Sequence, residues 1–207
     1  MSDVLHIVAS PKGEQSVSRR IASVFIDELR KTSPDARVRE LVLFDAALPE
    51  FGQTESLAKF APLFGQARSP EQEAAWRGIE AVIADFDRAD RVIISAPMWN
   101  GGVPYKLKHY FDLIIQPRVT FSYDPKTMLH FGLLRNRPVQ LILTRSSIMP
   151  GDYADFQLPY LKWALNFIGL QDVRALTAWR TTQPSAEARE AYVTSFFEPA
   201  REAARRF

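Results

Sequence analysis

The sequence predicts an α/β protein with a doubly wound, five-stranded parallel sheet and helices on both faces. Apolar runs of strand length alternate with amphipathic helical segments along the chain, which is the pattern of parallel strands joined by crossover helices. Five such runs favour the strand order 2-1-3-4-5 over the six-stranded Rossmann order. A length of 207 residues suits one domain, which we expect to span residues 1–207.

The first half of the chain contains a strand–helix–strand unit followed by a long connection. Residues 4–9 predict the first, central strand and residues 37–44 the second, with apolar residues at helical spacing between them. Residues 45–68 are irregular, with a weakly helical middle, and we expect a long excursion over the ligand-binding edge of the sheet. Ser69 and Gln72 then form a capping box that begins the next helix.

The second half begins with a strand, a short turn and a helix. Residues 91–96 predict a buried third strand that ends in Pro97, and Pro104 suits the first position of the following helix. That helix carries one apolar face, formed by Leu107, Tyr110, Phe111 and Ile114. The remaining predicted elements are a short exposed strand at 119–123, a loop at 129–137, a fourth buried strand at 139–143, a turn at Pro150 and Gly151, an amphipathic helix closed by Gly169, a last strand at 173–179, and a terminal helix at 186–207 that is bent or interrupted near Pro199.

The composition excludes several kinds of chemistry. The chain has no cysteine, so disulfides, thiolate nucleophiles, iron–sulfur ligation and zinc–thiolate sites are excluded. The 26 basic and 24 acidic residues nearly balance, and no basic stretch suggests nucleic acid as a partner. No spacing of His, Asp or Glu resembles a metal site. The sequence shows no signal peptide and no stretch of transmembrane length, so we expect a soluble cytoplasmic protein without a membrane partner.

Three loops follow the first, third and fourth predicted strands, whose carboxyl ends converge in such a sheet. The first loop, SPKGEQSVS, offers the hydroxyls of Ser10, Ser16 and Ser18 and the free N–H groups of a helix N-terminus, a combination that can hold a phosphate. Serine before a helix is also an ordinary cap, so both interpretations stay open. The loop matches neither the Walker pattern nor GxGxxG.

The other two loops suit a flat aromatic cofactor. Met98 to Gly102 offers apolar and aromatic side chains, an amide, and backbone that can come close at glycine, as the faces and edge of a flavin ring require. The alternative is a plain strand-to-helix turn with a buried Met and Trp. Thr144 to Ser147 can donate hydrogen bonds to the pyrimidine edge of a flavin, which stabilises the charge of the reduced ring. Arg145 either adds charge there or is a solvated surface residue.

Four segments of the chain also form an ordered pattern. They are Ser10 with Ser16-Val17-Ser18; Pro97-Met98-Trp99-Asn100 followed by Pro104-Tyr105-Lys106-Leu107-Lys108; Val119-Thr120-Phe121-Ser122-Tyr123; and Thr144-Arg145-Ser146-Ser147. In this order they resemble the motifs of the FMN-dependent NAD(P)H azoreductase/quinone reductase family, which has a flavodoxin-like fold. The resemblance runs nearly from end to end of the chain.

The resemblance implies a cofactor, substrates and roles for residues. FMN would be bound tightly but non-covalently, NADH or NADPH would donate electrons, and a quinone or azo compound would accept them. No catalytic side chain is implied, because the flavin performs the chemistry. The family is homodimeric with its active sites at the interface. The implied contacts are Ser10, Ser16, Val17 and Ser18 with the FMN phosphate, Met98, Trp99, Asn100 and Gly101 with the isoalloxazine, Thr144, Arg145, Ser146 and Ser147 with its pyrimidine edge, and Tyr123 and Phe167 with the substrate space.

The chain departs from the family pattern at four positions. Trp99 replaces a tyrosine and Gly101 a phenylalanine, which changes the aromatic wall and can open the pocket. Ser146 and Ser147 replace paired glycines, and serine would be strained there if the backbone needs positive φ. We predict an FMN-dependent NAD(P)H oxidoreductase that reduces quinones or azo compounds by two-electron ping-pong hydride transfer. The alternatives are a flavodoxin-like electron carrier and a regulatory flavoprotein subunit.

Overall fold

Five parallel strands form the main sheet of the protein. The computed structural model describes residues 2–147 and 155–207, so the turn predicted at Pro150 and Gly151 lies outside the described residues. In chain order the sheet's strands are β1 (Ser2–Val8), β2 (Ala36–Val42), β3 (Arg91–Pro97), β6 (Val139–Thr144) and β7 (Val173–Ala178), and a separate hairpin contains β4 (Phe121–Tyr123) and β5 (His130–Gly132). The strands of the main sheet lie side by side in the order β2-β1-β3-β6-β7, which confirms the predicted order 2-1-3-4-5 when the two hairpin strands are left out of the numbering.

The three central strands are buried on both faces because helices cover both sides of the sheet. Every residue of β6 is buried, and successive side chains enter opposite cores: Leu141 and Leu143 pack on one face, and Ile142 on the other. The edge strand β2 has only half-buried and exposed residues. This gradient explains why continuous apolar runs marked the central strands in the sequence.

Each face of the sheet carries its own group of helices. The first core contains residues of α2 (Gln53–Phe60), α3 (Pro70–Asp87), α4 (Tyr105–Ile114) and α5 (Gln157–Phe167). The second core contains residues of α1 (Val17–Thr32), α6 (Ala186–Thr194) and α7 (Phe197–Arg205). The four apolar residues predicted to share one face of α4 are all buried in the first core: Leu107, Tyr110, Phe111 and Ile114.

Two predictions about extended segments need correction. The predicted loop at 129–137 contains β5, which pairs antiparallel with β4 through Phe121 opposite Gly132 and Tyr123 opposite His130. The predicted strand at 119–123 is shorter, because Val119 and Thr120 form a turn whose N–H groups donate to the carbonyl of Gln116. Strands this short carry too few residues for an alternating pattern to be recognised.

Two predictions about helices are confirmed. The weakly helical middle of the connection at 45–68 is the helix α2, whose Ala58 is fully buried, so this part of the segment packs against the core. The terminal helix is interrupted at Ser195 and Phe196, close to Pro199, which lies in the first turn of α7, where no N–H partner within the helix is needed. The predicted capping box of Ser69 and Gln72 is confirmed at the start of α3.

Candidate active site

The carboxyl ends of β1, β3 and β6 meet at one edge of the sheet and bring the three predicted loops together. The N–H of Ala9 donates to the carbonyl of Ser95 at 2.9 Å, and the N–H of Met98 donates to the carbonyl of Thr144 at 2.7 Å. These bonds hold the first loop beside the second and the second beside the third. The ends of neighbouring parallel strands therefore form a single site, as the topology predicts.

A cavity of about 160 Å³ lies between these loops, and we call it the cofactor cavity. It is lined by residues of all three loops and of two later segments. Eight predicted site residues line it, namely Ser10, Ser16, Val17, Met98, Trp99, Thr144, Arg145 and Ser146. The other described residues that line it are Pro11, Lys12, Gln15, Pro97, Thr181 and Arg189.

Four predicted cofactor residues do not line this cavity. Ser18 is buried, and its hydroxyl oxygen lies 3.2 Å from that of Ser16. Asn100 and Gly101 form the tip of the turn after β3, and Ser147 is an exposed residue of the third loop. These four residues are therefore close in the sequence to residues that line the cavity, but they do not line it themselves.

The first loop presents the N-terminus of α1 to the cavity. Ser16 is the N-cap of α1, and its side chain accepts a hydrogen bond from the N–H of Arg19 at 3.4 Å. The first two helical residues, Val17 and Ser18, have N–H groups without an acceptor in the helix. Ser16 therefore combines both roles that the sequence left open: it caps the helix and lines the cavity toward which an anion is attracted.

The second loop is a tight turn that only certain residues can form. Trp99 and Gly102 exchange backbone hydrogen bonds of 3.1 and 2.9 Å, and the two residues between them, Asn100 and Gly101, have positive φ of 50° and 79°. Two consecutive positive φ angles favour asparagine followed by glycine. A phenylalanine at position 101 would be strained on this backbone, so the glycine at this departure from the family pattern matches the turn.

Trp99 forms an aromatic wall at the mouth of the cavity. Its ring centroid lies 5.8 Å from that of Phe44, which follows β2, and 6.3 Å from that of Tyr105 on α4. The side chain is 36% exposed and Met98 is half-buried. Met98 and Trp99 are therefore not fully buried, as the alternative of a plain turn required, and the wall has apolar surface free to contact a planar ligand.

The third loop is held by a buried ion pair. The side chain of Arg145 is 6% exposed, its Nη2 lies 2.7 Å from Oδ2 of Asp155, and its guanidinium stacks on the Trp179 ring at 4.1 Å from the centroid. The interpretation of Arg145 as a solvated surface residue is therefore wrong. The guanidinium Nε is buried and has no partner among the described residues, so this group can still donate a hydrogen bond.

The backbone of the third loop is fixed by the segment after β7. The N–H of Arg145 donates to the carbonyl of Ala178 at 3.0 Å, and the N–H of Thr181 donates to the carbonyl of Arg145 at 3.0 Å. The N–H of Thr182 donates to the carbonyl of Ser146 at 3.2 Å. Ser146 is not among the described non-glycine residues with positive φ, so the serine at this position is unstrained.

Asp155 is a residue beside the candidate site that the sequence reasoning missed. Its Oδ1 accepts hydrogen bonds from the N–H groups of Gln157 and Leu158 at 3.0 and 3.2 Å, while its Oδ2 pairs with Arg145. The next residue, Phe156, donates its N–H to the carbonyl of Gly101 at 2.9 Å. Asp155 thus joins the start of α5 to the second and third loops. An aspartate just before an apolar helical segment is a signal for a helix start that could have found it.

A second, larger cavity lies on the α4 and α5 side of Trp99, and we call it the outer cavity. Its volume is about 710 Å³, and it is lined by aromatic and charged residues, among them Lys59, Tyr105, His109, Trp163 and Phe167. Of the two predicted substrate residues, Phe167 lines it and Tyr123 does not, although both contact the ring of His130, at 5.3 and 6.4 Å between centroids. The two cavities share no lining residue among the described residues.

Burial shifts the pKa of two titratable side chains that line the outer cavity. Burial raises the pKa of Tyr160 to about 12, with a smaller contribution from the nearby Asp112 carboxylate. Burial lowers the pKa of Lys59, and the same Asp112 carboxylate partly opposes the change. Tyr160 therefore remains a protonated hydrogen-bond donor at neutral pH.

A model for a family described as having a flavodoxin-like fold matches residues 2–198 of the chain. The chain belongs to this flavodoxin-like fold family. The flavodoxin-like chain is 37% identical over 211 residues to a protein named FMN-dependent NADH:quinone oxidoreductase from Nitratidesulfovibrio vulgaris (strain DP4), with 100% of both chains covered. It is 38% identical over 187 residues to FMN-dependent NADH:quinone oxidoreductase 3 of Pseudomonas fluorescens, covering 87% of this chain and 86% of that one.

A solved structure extends the comparison to three dimensions. The flavodoxin-like chain superimposes with a TM-score of 0.86 on an FMN-dependent NADH-azoreductase from Bacillus anthracis str. Ames Ancestor in complex with FMN. The identity is 26%, with 100% of this chain and 99% of that chain covered. The resemblance inferred from the four sequence motifs is therefore confirmed, and so is the predicted flavodoxin-like fold.

Proposed function

We propose that this protein is an FMN-dependent NADH:quinone oxidoreductase that also accepts azo compounds. The observation that carries the proposal is the character of the cofactor cavity. Its described lining combines a helix N-terminus with buried hydroxyls, an aromatic wall, three cationic side chains and no carboxylate. Full-length relatives named for this cofactor, donor and acceptor support the same assignment.

The residues around the cofactor cavity suit each part of FMN, namely its phosphate, its ring system and the pyrimidine edge of that ring system. Ser10, Ser16 and the free N–H groups of Val17 and Ser18 would hold the phosphate, since such a helix start attracts anions. Met98 and Trp99 would cover a face of the ring system. The third loop would approach the pyrimidine edge through Thr144, Arg145, Ser146 and Ser147, where the buried, unpartnered Nε of Arg145 supplies a donor.

When bound, FMN supplies two-electron hydride chemistry between NADH and the acceptor. The protein binds and orients its ligands, excludes water through the Trp99 wall, and places donors beside the edge where negative charge develops. No titratable side chain needs to move a proton for this role. We propose that donor and acceptor occupy the same space in turn, which gives ping-pong kinetics, because the first loop carries no separate dinucleotide motif.

We also propose a homodimer with the active site at its interface. Tyr105 and Trp163 line the outer cavity and are 62% and 58% exposed, which is unusual for aromatic residues that no partner covers. Tyr123 and Phe167 lie outside the cofactor cavity of their own chain, so a second copy would let them border the site of a partner. No helix in residues 2–147 or 155–207 is long and apolar enough to cross a membrane. We propose a cytoplasmic location, where NADH is available.

The test begins with the flavin content and reactivity of the purified protein. We expect FMN absorption in the protein as purified, or after reconstitution, bleaching of that absorption by NADH without oxygen, and its return on addition of benzoquinone. Parallel double-reciprocal plots would support alternation of donor and acceptor. Flavin that NADH does not bleach would favour the electron carrier, and protein that takes up no FMN would contradict the proposed function.

A matched pair of variants tests the location of the site. Ser10→Asp puts a carboxylate into a cavity whose described lining holds none, so we expect FMN binding at least tenfold weaker through charge repulsion. Ser23→Asp adds the same charge on an exposed position of α1 and should leave FMN binding unchanged. Equal affinities in the two variants would show that the phosphate lies elsewhere. Thermal unfolding of the ligand-free proteins checks that both fold.

A further inference from the structure

Two cations at the phosphate end of the cofactor cavity have no carboxylate at ion-pair distance among the described residues. Lys12 and Arg189 line this cavity together with Ser10, Ser16 and Val17. Within the described residues, no carboxylate oxygen lies within 4 Å of either side chain, as the ion pairs of the structure show. The charge of Arg189 contributes to the lowered pKa of the neighbouring Glu190, but that carboxylate is paired with Arg20. Both residues are exposed, so each cation remains available for a ligand.

The neighbouring cations are already engaged. Arg19 pairs with Glu40 at 2.6 Å and with Glu14 at 3.4 Å. Arg145, the third cation of the cofactor cavity, pairs with Asp155 at 2.7 Å. The lack of an ion pair within 4 Å therefore distinguishes Lys12 and Arg189 from the neighbouring cations of this surface.

A specific ion pair brings Arg189 to the site. Arg20 on α1 donates two hydrogen bonds to Glu190 on α6, at 2.9 and 2.5 Å, and this contact fixes α6 beside the start of α1. Arg189 precedes Glu190 on the same helix and reaches both the cofactor cavity and an adjoining cavity of about 650 Å³. Lys12 and Gln15 also line both cavities, so these side chains have room to close on a ligand.

We propose that Lys12 and Arg189 form a cation pair that binds the phosphate group of the flavin and selects FMN over riboflavin. This inference rests on the proposed function. A phosphate monoester carries a charge of about −1.5 to −2 at neutral pH, whereas a helix N-terminus offers only about half a positive charge. Two free cations supply the remaining neutralisation. Riboflavin has a neutral hydroxyl in place of the phosphate and gains nothing from them.

The experiment measures the affinities of the ligand-free, full-length protein for FMN and for riboflavin by fluorescence titration. We expect Lys12→Gln and Arg189→Gln each to weaken FMN binding by roughly five- to tenfold, and the double variant by more, because each removes a charge-assisted hydrogen bond. Riboflavin affinity should change less than about twofold in all three variants, because a neutral hydroxyl gains little from a cation. The affinity for FMN should fall as salt is raised, and it should fall less steeply in the double variant.

Two controls separate charge at this position from general effects. Arg77→Gln removes an exposed arginine from α3, which packs on the opposite face of the sheet, and should leave both affinities unchanged. Arg189→Lys keeps the charge and should retain most of the affinity for FMN.

The outcomes distinguish this inference from the proposed function. Wild-type protein that binds FMN no more tightly than riboflavin, or glutamine variants that weaken both flavins equally, would overturn the cation pair and leave the proposed function standing. Wild-type protein that binds neither flavin would overturn both.

Discussion

Asp155 uses its two carboxylate oxygens for two different contacts. One oxygen accepts hydrogen bonds from the first N–H groups of α5, and the other pairs with the buried Arg145. The guanidinium is therefore neutralised before any ligand arrives. Arg145 consequently acts by holding the third loop and by offering its remaining N–H groups, rather than as a free positive charge.

Variants of Asp155 separate these two contacts. Asp155→Ala leaves a buried guanidinium without a partner and α5 without its cap, so we expect the free energy of unfolding to fall by about 3 kcal/mol. Asp155→Asn keeps one acceptor oxygen, which can still cap α5, but replaces the oxygen that pairs with Arg145 by an NH2 donor, and we expect a loss of about 1–2 kcal/mol. Urea unfolding of ligand-free protein measures both. Equal losses in the two variants would show that the cap contributes nothing beyond the ion pair.

For single residues, the sequence predicted those roles that depend only on neighbouring positions in the chain. Ser16 follows a loop and precedes an apolar helix, which is enough to identify a cap. The burial of Arg145 could not be predicted, because it depends on Trp179, which lies 34 positions away in the sequence and meets it only after β6 pairs with β7. The strain expected at Ser146 is absent because hydrogen bonds from a distant segment fix that backbone.

The hairpin of β4 and β5 and the end of α5 approach each other more closely than side chains allow. A Cβ atom added to Gly132 would lie 2.0 Å from the backbone nitrogen of Gly169. The N–H of Leu134 donates to the carbonyl of Ile168 at 3.0 Å beside this contact. The hairpin, which carries Tyr123, is thus fixed against α5 by backbone contact.

Gly132→Ala tests this contact between elements. The added methyl group must displace backbone, so we expect the free energy of unfolding to fall by about 2 kcal/mol. Gly78→Ala is the matched control, because its added Cβ would lie 3.6 Å from Pro49, an ordinary contact, in the interior of α3. There the change should raise stability by about 0.5–1 kcal/mol. Unchanged stability of Gly132→Ala in urea unfolding would show that the hairpin does not pack as described.

Elements with strong periodicity were predicted well, and the very short strands were not. The central strands and α1, α3 and α4 carry continuous or helical apolar patterns, and all of them are present. The three-residue strand β5 is formed by its partner β4 and by the Gly132 contact, neither of which leaves a local pattern. The break between α6 and α7 directly precedes the helical turn that contains Pro199, so this proline marked the interruption in the sequence.

On the scale of the whole molecule, one face concentrates exposed aromatic side chains. Tyr105 and Trp163, which line the outer cavity, are 62% and 58% exposed, and Trp163 stacks on Phe167 at 5.0 Å between centroids. The lining of the outer cavity also mixes three lysines with two acidic residues. Such a surface can contact a second copy of the same chain through aromatic packing with charged contacts at its margin.

Trp163→Glu tests the proposed homodimer. A charge in the centre of an aromatic interface should weaken self-association at least tenfold in sedimentation velocity, because aromatic anchors dominate such contacts. We expect FMN binding to persist and quinone reduction to fall, since substrate residues of the partner would be lost. Ser23→Glu, exposed on the opposite face, should leave the dimer intact. A wild-type monomer with full activity would contradict the interface.

Residues that reach the site from distant segments of the chain could not be predicted from local sequence patterns. The three loops follow strands whose order can be predicted, so their convergence could be foreseen. Thr181 and Arg189 reach the same cavity from segments after β7, and no local motif marks them. Thr181 is held by its hydrogen bond to Arg145, and Arg189 lies beside the Arg20–Glu190 ion pair, which joins residues 170 positions apart.

The position of Trp99 allows intrinsic tryptophan fluorescence to report on the cofactor cavity. The chain has four tryptophans, and one of them forms the wall of the cofactor cavity while another, Trp179, stacks on the arginine of the third loop. A flavin seated against that wall would accept excitation energy from the indole and quench its fluorescence. Emission from the unlabelled protein would therefore report, in real time, when the cavity fills and empties.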